Sequence, residues 1–207
     1  MRIAVVLLTG LIASFSHAQS AVDALSQQLV KQQKLEAKFV QYVLDASGSR
    51  LQETHGEMIL WAPNQFWWQT QDPFAQLIVS NGQRLWIYDK DLEQVTVQPV
   101  DKKTTSTPAL LLSGNGQDID KEFVVEMAQT EDGLTLYRLI PKDPESLYQS
   151  LRLNFKNDQL LEMQIQDTLF QKTSLIFSDV VVNPMIDESI FQFVVPKGVD
   201  LVEMGQF

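Results

Sequence analysis

The stretch Gly56-Glu57-Met58-Ile59-Leu60-Trp61-Ala62-Pro63-Asn64-Gln65-Phe66-Trp67-Trp68-Gln69-Thr70 decides the fold. Apolar and polar residues alternate up to Trp61, a Pro63-Asn64 turn follows, and a second extended run begins at Phe66. Strand side chains point alternately to opposite faces, so Phe66 and Trp68 share one face and Trp67 takes the other. Trp61, Phe66, Trp67, Trp68, Phe74 and Trp86 crowd into residues 61–86. A sheet that is apolar on both faces needs two separate coverings.

The period of two extends in both directions from this stretch. Upstream, Leu35, Ala37, Phe39 and Gln41 point one way, while Val40, Tyr42 and Leu44 point the other. Downstream, Leu77–Val79 and Arg84–Tyr88 flank Asn81-Gly82, a type I′ hairpin signal. Similar pairs of runs flank Asp132-Gly133 and Asn157-Asp158, and Leu175–Val182 supplies one or two last strands. About ten or eleven strands joined by tight turns predict an antiparallel meander, because parallel crossovers need a dozen or more residues.

Two segments break the pattern. Ala21–Gln33 carries apolar residues at Val22, Leu25, Leu29 and Val30, the spacing of one amphipathic helix. Thr107-Pro108-Ala109-Leu110-Leu111-Leu112-Ser113-Gly114 has a cap, Pro at the first helical position and Gly past the end. A helix that short is not stable alone and must lie on something apolar. The expected fold class is therefore mainly β, an incomplete antiparallel barrel of about 11 strands closed by a helical lid. An apolar cavity under the lid and an interior filled by lid side chains both satisfy this pattern.

The first residues have a different character. Met1-Arg2, an almost unbroken apolar run from Ile3 to Phe15, and Ser16-His17-Ala18 form the three regions of a secretory signal peptide. The run is too short to span a bilayer. Residues 1–18 are thus expected to be a leader and residues 19–207 one exported domain. The 207 residues include no cysteine, which excludes disulfides, thiolate metal sites and a lipid anchor on this chain's own cysteine. Sixteen basic against twenty-six acidic residues give a net charge of −10, a surface that repels nucleic acid and anionic head groups.

Enzyme chemistry finds little to build on. His55 is the only histidine after the leader, no G-x-S-x-G elbow exists, and no Gly-rich phosphate loop follows a strand. Asp89 and Asp91 flank Lys90 in what reads as a solvated turn. No catalytic residue, metal site or cofactor is expected.

The blocks Gly56–Trp68, Gln76–Asp89, Leu92–Val97, Ser106–Leu112 and Phe191–Asp200 occur in order across nearly all of the expected mature chain. Together they resemble the periplasmic outer-membrane lipoprotein carriers, the LolA family. The resemblance implies a periplasmic, monomeric chaperone that binds lipoprotein acyl chains in the interior of the incomplete barrel. It would receive cargo from the inner-membrane exporter LolCDE and pass it to the outer-membrane acceptor LolB. Carried over by motif, the cavity positions are Phe66, Trp68 and Ile78, with Ala109 and Leu112 on the lid. Leu29 and Trp86 join the cavity by their apolar pattern, and Leu110 and Leu111 complete the lid. One departure stands out: the family's arginine before the proline, thought to hold the lid, is Ala62 here, which predicts a looser lid. Neither Arg84 nor Arg50 is placed near the lid by the sequence. A related periplasmic carrier or sensor of lipids or glycolipids is the alternative with the same fold.

Overall fold

The computed structural model describes residues 15–71, 73–100, 108–114 and 119–205, with only the backbone of residues 15–20 and of Leu111. The expected leader therefore falls mostly outside the described residues. Helix α1 (Phe15–Lys31) leads into six strands: β1 (Lys34–Leu44), β2 (Arg50–Trp61), β3 (Gln65–Thr70), β4 (Gln76–Asn81), β5 (Arg84–Asp89) and β6 (Gln94–Pro99). Helices α2 (Pro108–Ser113) and α3 (Ile119–Glu122) follow. Five more strands complete the second half: β7 (Phe123–Gln129), β8 (Leu134–Pro141), β9 (Tyr148–Lys156), β10 (Gln159–Asp167) and β11 (Lys172–Val182). A 3-10 turn (Glu188–Phe191) and the short strand β12 (Asp200–Glu203) end the chain.

All twelve described strands form one sheet in the order β12-β6-β5-β4-β3-β2-β1-β11-β10-β9-β8-β7. Two meanders, β1–β6 and β7–β11, meet at the antiparallel pair β1–β11. The sheet stays open, with β12 and β7 at its edges. The expected strand count falls short by one, and the extra strand is the exception to the antiparallel rule. β12 pairs parallel with β6, and it can do so because a long C-terminal segment, rather than a tight turn, delivers it there.

Registers arrange the concave face in rows. Leu35, Leu60 and Phe66 form the row at one rim. Ala37, Met58, Trp68, Ile78 and Ile87 form the next. Phe39, Gly56, Thr70 and Gln76 form the third, and Gln41 and Thr54 lie beyond them. On β8–β11 the same face is mostly apolar, with Tyr137, Leu151, Leu153, Met163, Leu175 and Phe177 all buried. Burial pushes ionisation of the Tyr137 hydroxyl up, and the charge of Asp158 adds to the effect. Ala21 and Leu25 of α1 join this cluster. The Gln28 side chain donates to the Asp158 carbonyl at 2.7 Å, and Asn183 donates to the Lys31 carbonyl at 2.9 Å. The second bond satisfies a carbonyl that the helix end leaves free, and the first ties the helix to the β9–β10 turn.

The convex face of β2–β6 carries Trp61, Val79, Trp86, Tyr88, Val95 and Val97, and it has its own cover. Phe191, fully buried, meets Trp61 edge-on at 6.2 Å, while Phe193 lies 6.2 Å from Trp86 and 6.1 Å from Tyr88. Asp187 caps the 3-10 turn by accepting from the Ser189 N–H at 2.9 Å. That bond holds its carboxyl below the usual range. The two coverings that the aromatic pattern requires are thus the helices inside and the C-terminal segment outside.

Two turn details differ from simple expectation. At Asn81-Gly82 only Gly82 has positive φ (88°), at the first central position of the loop, as a II′ rather than a I′ turn requires. The Asn81 side chain accepts from the Gln83 and Arg84 N–H groups instead. The Ala62–Pro63 peptide is cis.

Gly56 leaves no room for a side chain on the concave face. A Cβ there would sit 2.3 Å from both the Gln69 carbonyl oxygen and the Phe39 ring. Gly56→Ala is therefore expected to destabilise the protein by about 2–3 kcal/mol through overpacking. Urea unfolding should show a lower midpoint with an unchanged slope.

Candidate functional site: a lidded cleft on the concave face

The helix α2 lies over β2 and β3. Ala109 and Leu110 are buried in the same cluster as Met58, Phe66 and Trp68, with Leu112 packed against it. At the C-terminal end of α2 the Asn64 N–H donates to the Ser113 carbonyl at 2.7 Å. Asn64 sits in the β2–β3 turn with φ of 62°, and its own carbonyl accepts from the Ser80 hydroxyl at 2.6 Å. The turn that follows Ala62 thus grips the lid through its backbone.

A cleft of about 560 Å³ opens beside α2, within the roughly 300–1,000 Å³ of ordinary ligand sites. Trp68, Ile78, Pro108 and Ala109 form its apolar part. Gln41, Gln52, Thr54, Thr70 and Gln76 line it towards the strand ends, with Phe74, Asp89, Asp91 and Leu92 at the loops. A smaller cleft of about 310 Å³ lies at the other end of the lid, lined by residues including Leu29, Leu60, Ala62, Pro63, Leu112 and Ser113. The Ser113 hydroxyl is buried there without a hydrogen-bond partner.

The expected site residues separate into distinct places. Trp68, Ile78 and Ala109 line the main cleft. Phe66 is fully buried in the floor beside it, and Leu110 is buried under the lid. Leu29 and Leu112 line the smaller cleft together with Ala62. The Leu111 side chain lies outside the described residues. Trp86 is not part of the cavity: it pairs with Val79 on the convex face and packs on Phe193. Strand alternation gives the concave position on β5 to Ile87, opposite Ile78. An aromatic-rich run does not show by itself which of two apolar faces each ring occupies.

Sequence reasoning missed the polar part of the cleft. The signal was present in strand parity, which places Gln41 on the face of Phe39, and Gln76 on the face of Ile78. Other polar candidates lie elsewhere. His55 is exposed on the convex side of β2, 3.5 Å from Glu53. Among the described residues no cluster of three or more His, Cys, Asp or Glu side chains is placed to hold a metal. Arg50 pairs with Glu53 and stacks over Tyr42 at 4.5 Å, far along β2 from Ala62.

A curved sheet with a largely apolar concave face, a cleft on that face and a short leucine helix packed over it define a binding protein for apolar chains. The outer membrane lipoprotein carrier protein LolA family model matches residues 30–194, and the chain belongs to that family. An outer-membrane lipoprotein carrier protein of Chromohalobacter salexigens is 43% identical over 169 residues, covering 82% of this chain and 80% of the relative. One from Pseudomonas aeruginosa is 42% identical over 193 residues, covering 92% of each. Among solved structures, an uncharacterized conserved protein from Thermus thermophilus superposes with a TM-score of 0.54 at 13% identity, over 90% of this chain and 99% of that one. That likeness concerns the fold alone.

The smaller cleft gives the lid a test. Ala62→Arg should fill it and bring a charged donor to the orphan Ser113 hydroxyl. Amide exchange of Ala109–Ser113 is then expected to slow by about tenfold, the effect of one charge-assisted hydrogen bond. Exchange in β1 and β2 should not change. Unaltered lid exchange would mean that the space beside Ala62 has no part in holding α2.

Proposed function

We propose that this protein is a periplasmic carrier that takes lipoproteins, acyl chains enclosed, from an inner-membrane exporter of the LolCDE type to an outer-membrane acceptor of the LolB type. Membership of the lipoprotein carrier family supports the task, and the cleft between Trp68, Ile78 and the lid supplies the means. The leader-like residues 1–18 support export. Among the described residues, no helix is long and apolar enough to cross a membrane.

The observation that carries the reading is the position of α2. Burying an acyl chain yields about 0.8 kcal/mol per CH₂, so one long chain is worth on the order of 12 kcal/mol gross. Held in full, that would make release very slow. Ala109 and Leu110 lie against the concave face in the buried cluster. Acyl chains that enter must displace some of these contacts, and the lid regains them when cargo leaves. The competition lowers net affinity to a level at which a better-matched acceptor can take the cargo. The smaller cleft beside Leu29 and Leu112 gives the lid somewhere to shift without a clash. No catalytic step enters this cycle.

The test uses inner-membrane vesicles that contain the exporter and ATP. The mature protein is expected to release a lipoprotein into a soluble complex, and Ile78→Asp should abolish release while the protein remains folded. No release by the unaltered protein, with the exporter active on another carrier, would instead favour a lipid or glycolipid carrier of the same fold.

A further inference from the structure

We infer that the polar end of the cleft is a selectivity site, which accepts the uncharged ester and amide junction of an acylated cargo and turns away phospholipid. The inference rests on the carrier reading and adds to it which lipid heads the cleft admits. In a membrane-rich compartment, phospholipid is the abundant competitor for any apolar cavity. A carrier filled with it could not do its work.

Three observations point to this role. First, the concave face changes character sharply along the strands. Trp68 and Ile78 stand opposite each other in one row, and two residues further along, about 7 Å, Thr70 stands opposite Gln76. On the neighbouring pair, Phe39 and Gly56 are followed by Gln41 and Thr54. The cleft is therefore apolar at one end, while amides and hydroxyls line the other, with Phe74 and Leu92 beside them at the loops.

Second, the polar groups retain bonding capacity. Thr54 is 1% exposed, and its hydroxyl accepts from the Gln52 amide at 3.0 Å. The side-chain amides of Gln41 and Gln76 are half-buried, and among the described residues none is hydrogen-bonded to them. A covered, unpaired amide is costly, so both gain when a ligand brings carbonyl and N–H groups to that depth. An acyl ester or an N-acyl amide has those groups where the chain meets the head.

Third, the charge in the cleft has one sign. Its described lining includes Asp89 and Asp91 and no Lys or Arg. The Asp89 carboxylate is fixed in its turn by the N–H groups of Asp91 and Leu92, each at 3.0 Å. Among the described residues that line the cleft, a phosphate directly beyond the ester junction would meet two carboxylates and no cation, an opposition that an uncharged or cationic peptide would escape. Amides that fit the junction and carboxylates that oppose a phosphodiester together separate the two kinds of diacyl lipid.

The experiment compares three ligands by displacement of an apolar fluorophore from the purified mature protein. They are a lipopeptide with an S-diacylglyceryl cysteine, phosphatidylglycerol with the same acyl chains, and hexadecanol as a chain without the junction. The unaltered protein is expected to prefer the lipopeptide over phosphatidylglycerol at least tenfold. The double variant Gln41→Met, Gln76→Met should lose most of its lipopeptide affinity and keep its affinity for hexadecanol, which also reports an intact fold. Asp91→Lys should strengthen phosphatidylglycerol binding several-fold and leave hexadecanol unaffected. Equal affinity for the two diacyl ligands, or no change with Asp91→Lys, overturns the inference. If the glutamine variant also loses hexadecanol, the single substitutions and the Asp91→Lys comparison decide. Failure of the unaltered protein to bind any of the three would instead overturn the carrier reading itself.

Discussion

The fold depends on Phe39 lying across Gly56 and against Trp68. The two rings are 4.3 Å apart and tilted by 31°, although they belong to β1 and β3 with β2 between them. Only a residue without a side chain at position 56 allows that reach. The contact ties three strands together on the concave side, where a twisted sheet has few other short-range restraints. It also marks the boundary between the apolar floor and the polar end of the cleft. On its other flank Phe39 stands opposite Phe177 of β11, so the same ring closes the seam between the two meanders. Cleft and seam are both built around one aromatic side chain.

The two coverings of the sheet have different attachments. The convex cover is packed with aromatic rings, and its key residue Phe191 has no exposed surface. Helix α1 is pinned at its end by the Asp158 carbonyl of the β9–β10 turn, which accepts from the Gln28 side chain, and by the Asn183 side chain. Helix α2 is six residues long, too short to persist by itself, and one side of its C-terminal end borders an unfilled cleft. A movable element is expected at the weakly held end of this range. Stability is concentrated where nothing has to move.

Much of this was legible in the sequence. Strand alternation around Phe66-Trp67-Trp68, the turn residues and the capped leucine segment lead to a half-barrel with a lid. What remained hidden needed distances between residues far apart in the chain. Trp86 reads as a cavity residue because its neighbours are apolar, yet Phe193, more than a hundred positions later, claims it for the other face. β12 is four exposed residues, too short to produce a period. The polar end of the cleft was written in the parity of Gln41 and Gln76, but a glutamine in a strand ordinarily marks the solvent side. Its meaning emerges only when the register shows that the opposite residues are Thr54 and Thr70.

The pairing of β1 with β11 also governs the order in which the molecule can be assembled. Each meander is made of neighbouring strands and can form locally, but their junction joins residues about 140 positions apart, and the convex cover comes later still. Contacts of such separation are slow to form because a long loop must close first. During synthesis the N-terminal meander, with Trp61 and Trp86 uncovered on one side and Phe39 on the other, must wait for nearly the whole chain. The nascent protein therefore spends its early life as an unfinished sheet with two apolar faces. Until the second meander and the convex cover arrive, both faces stay open to water.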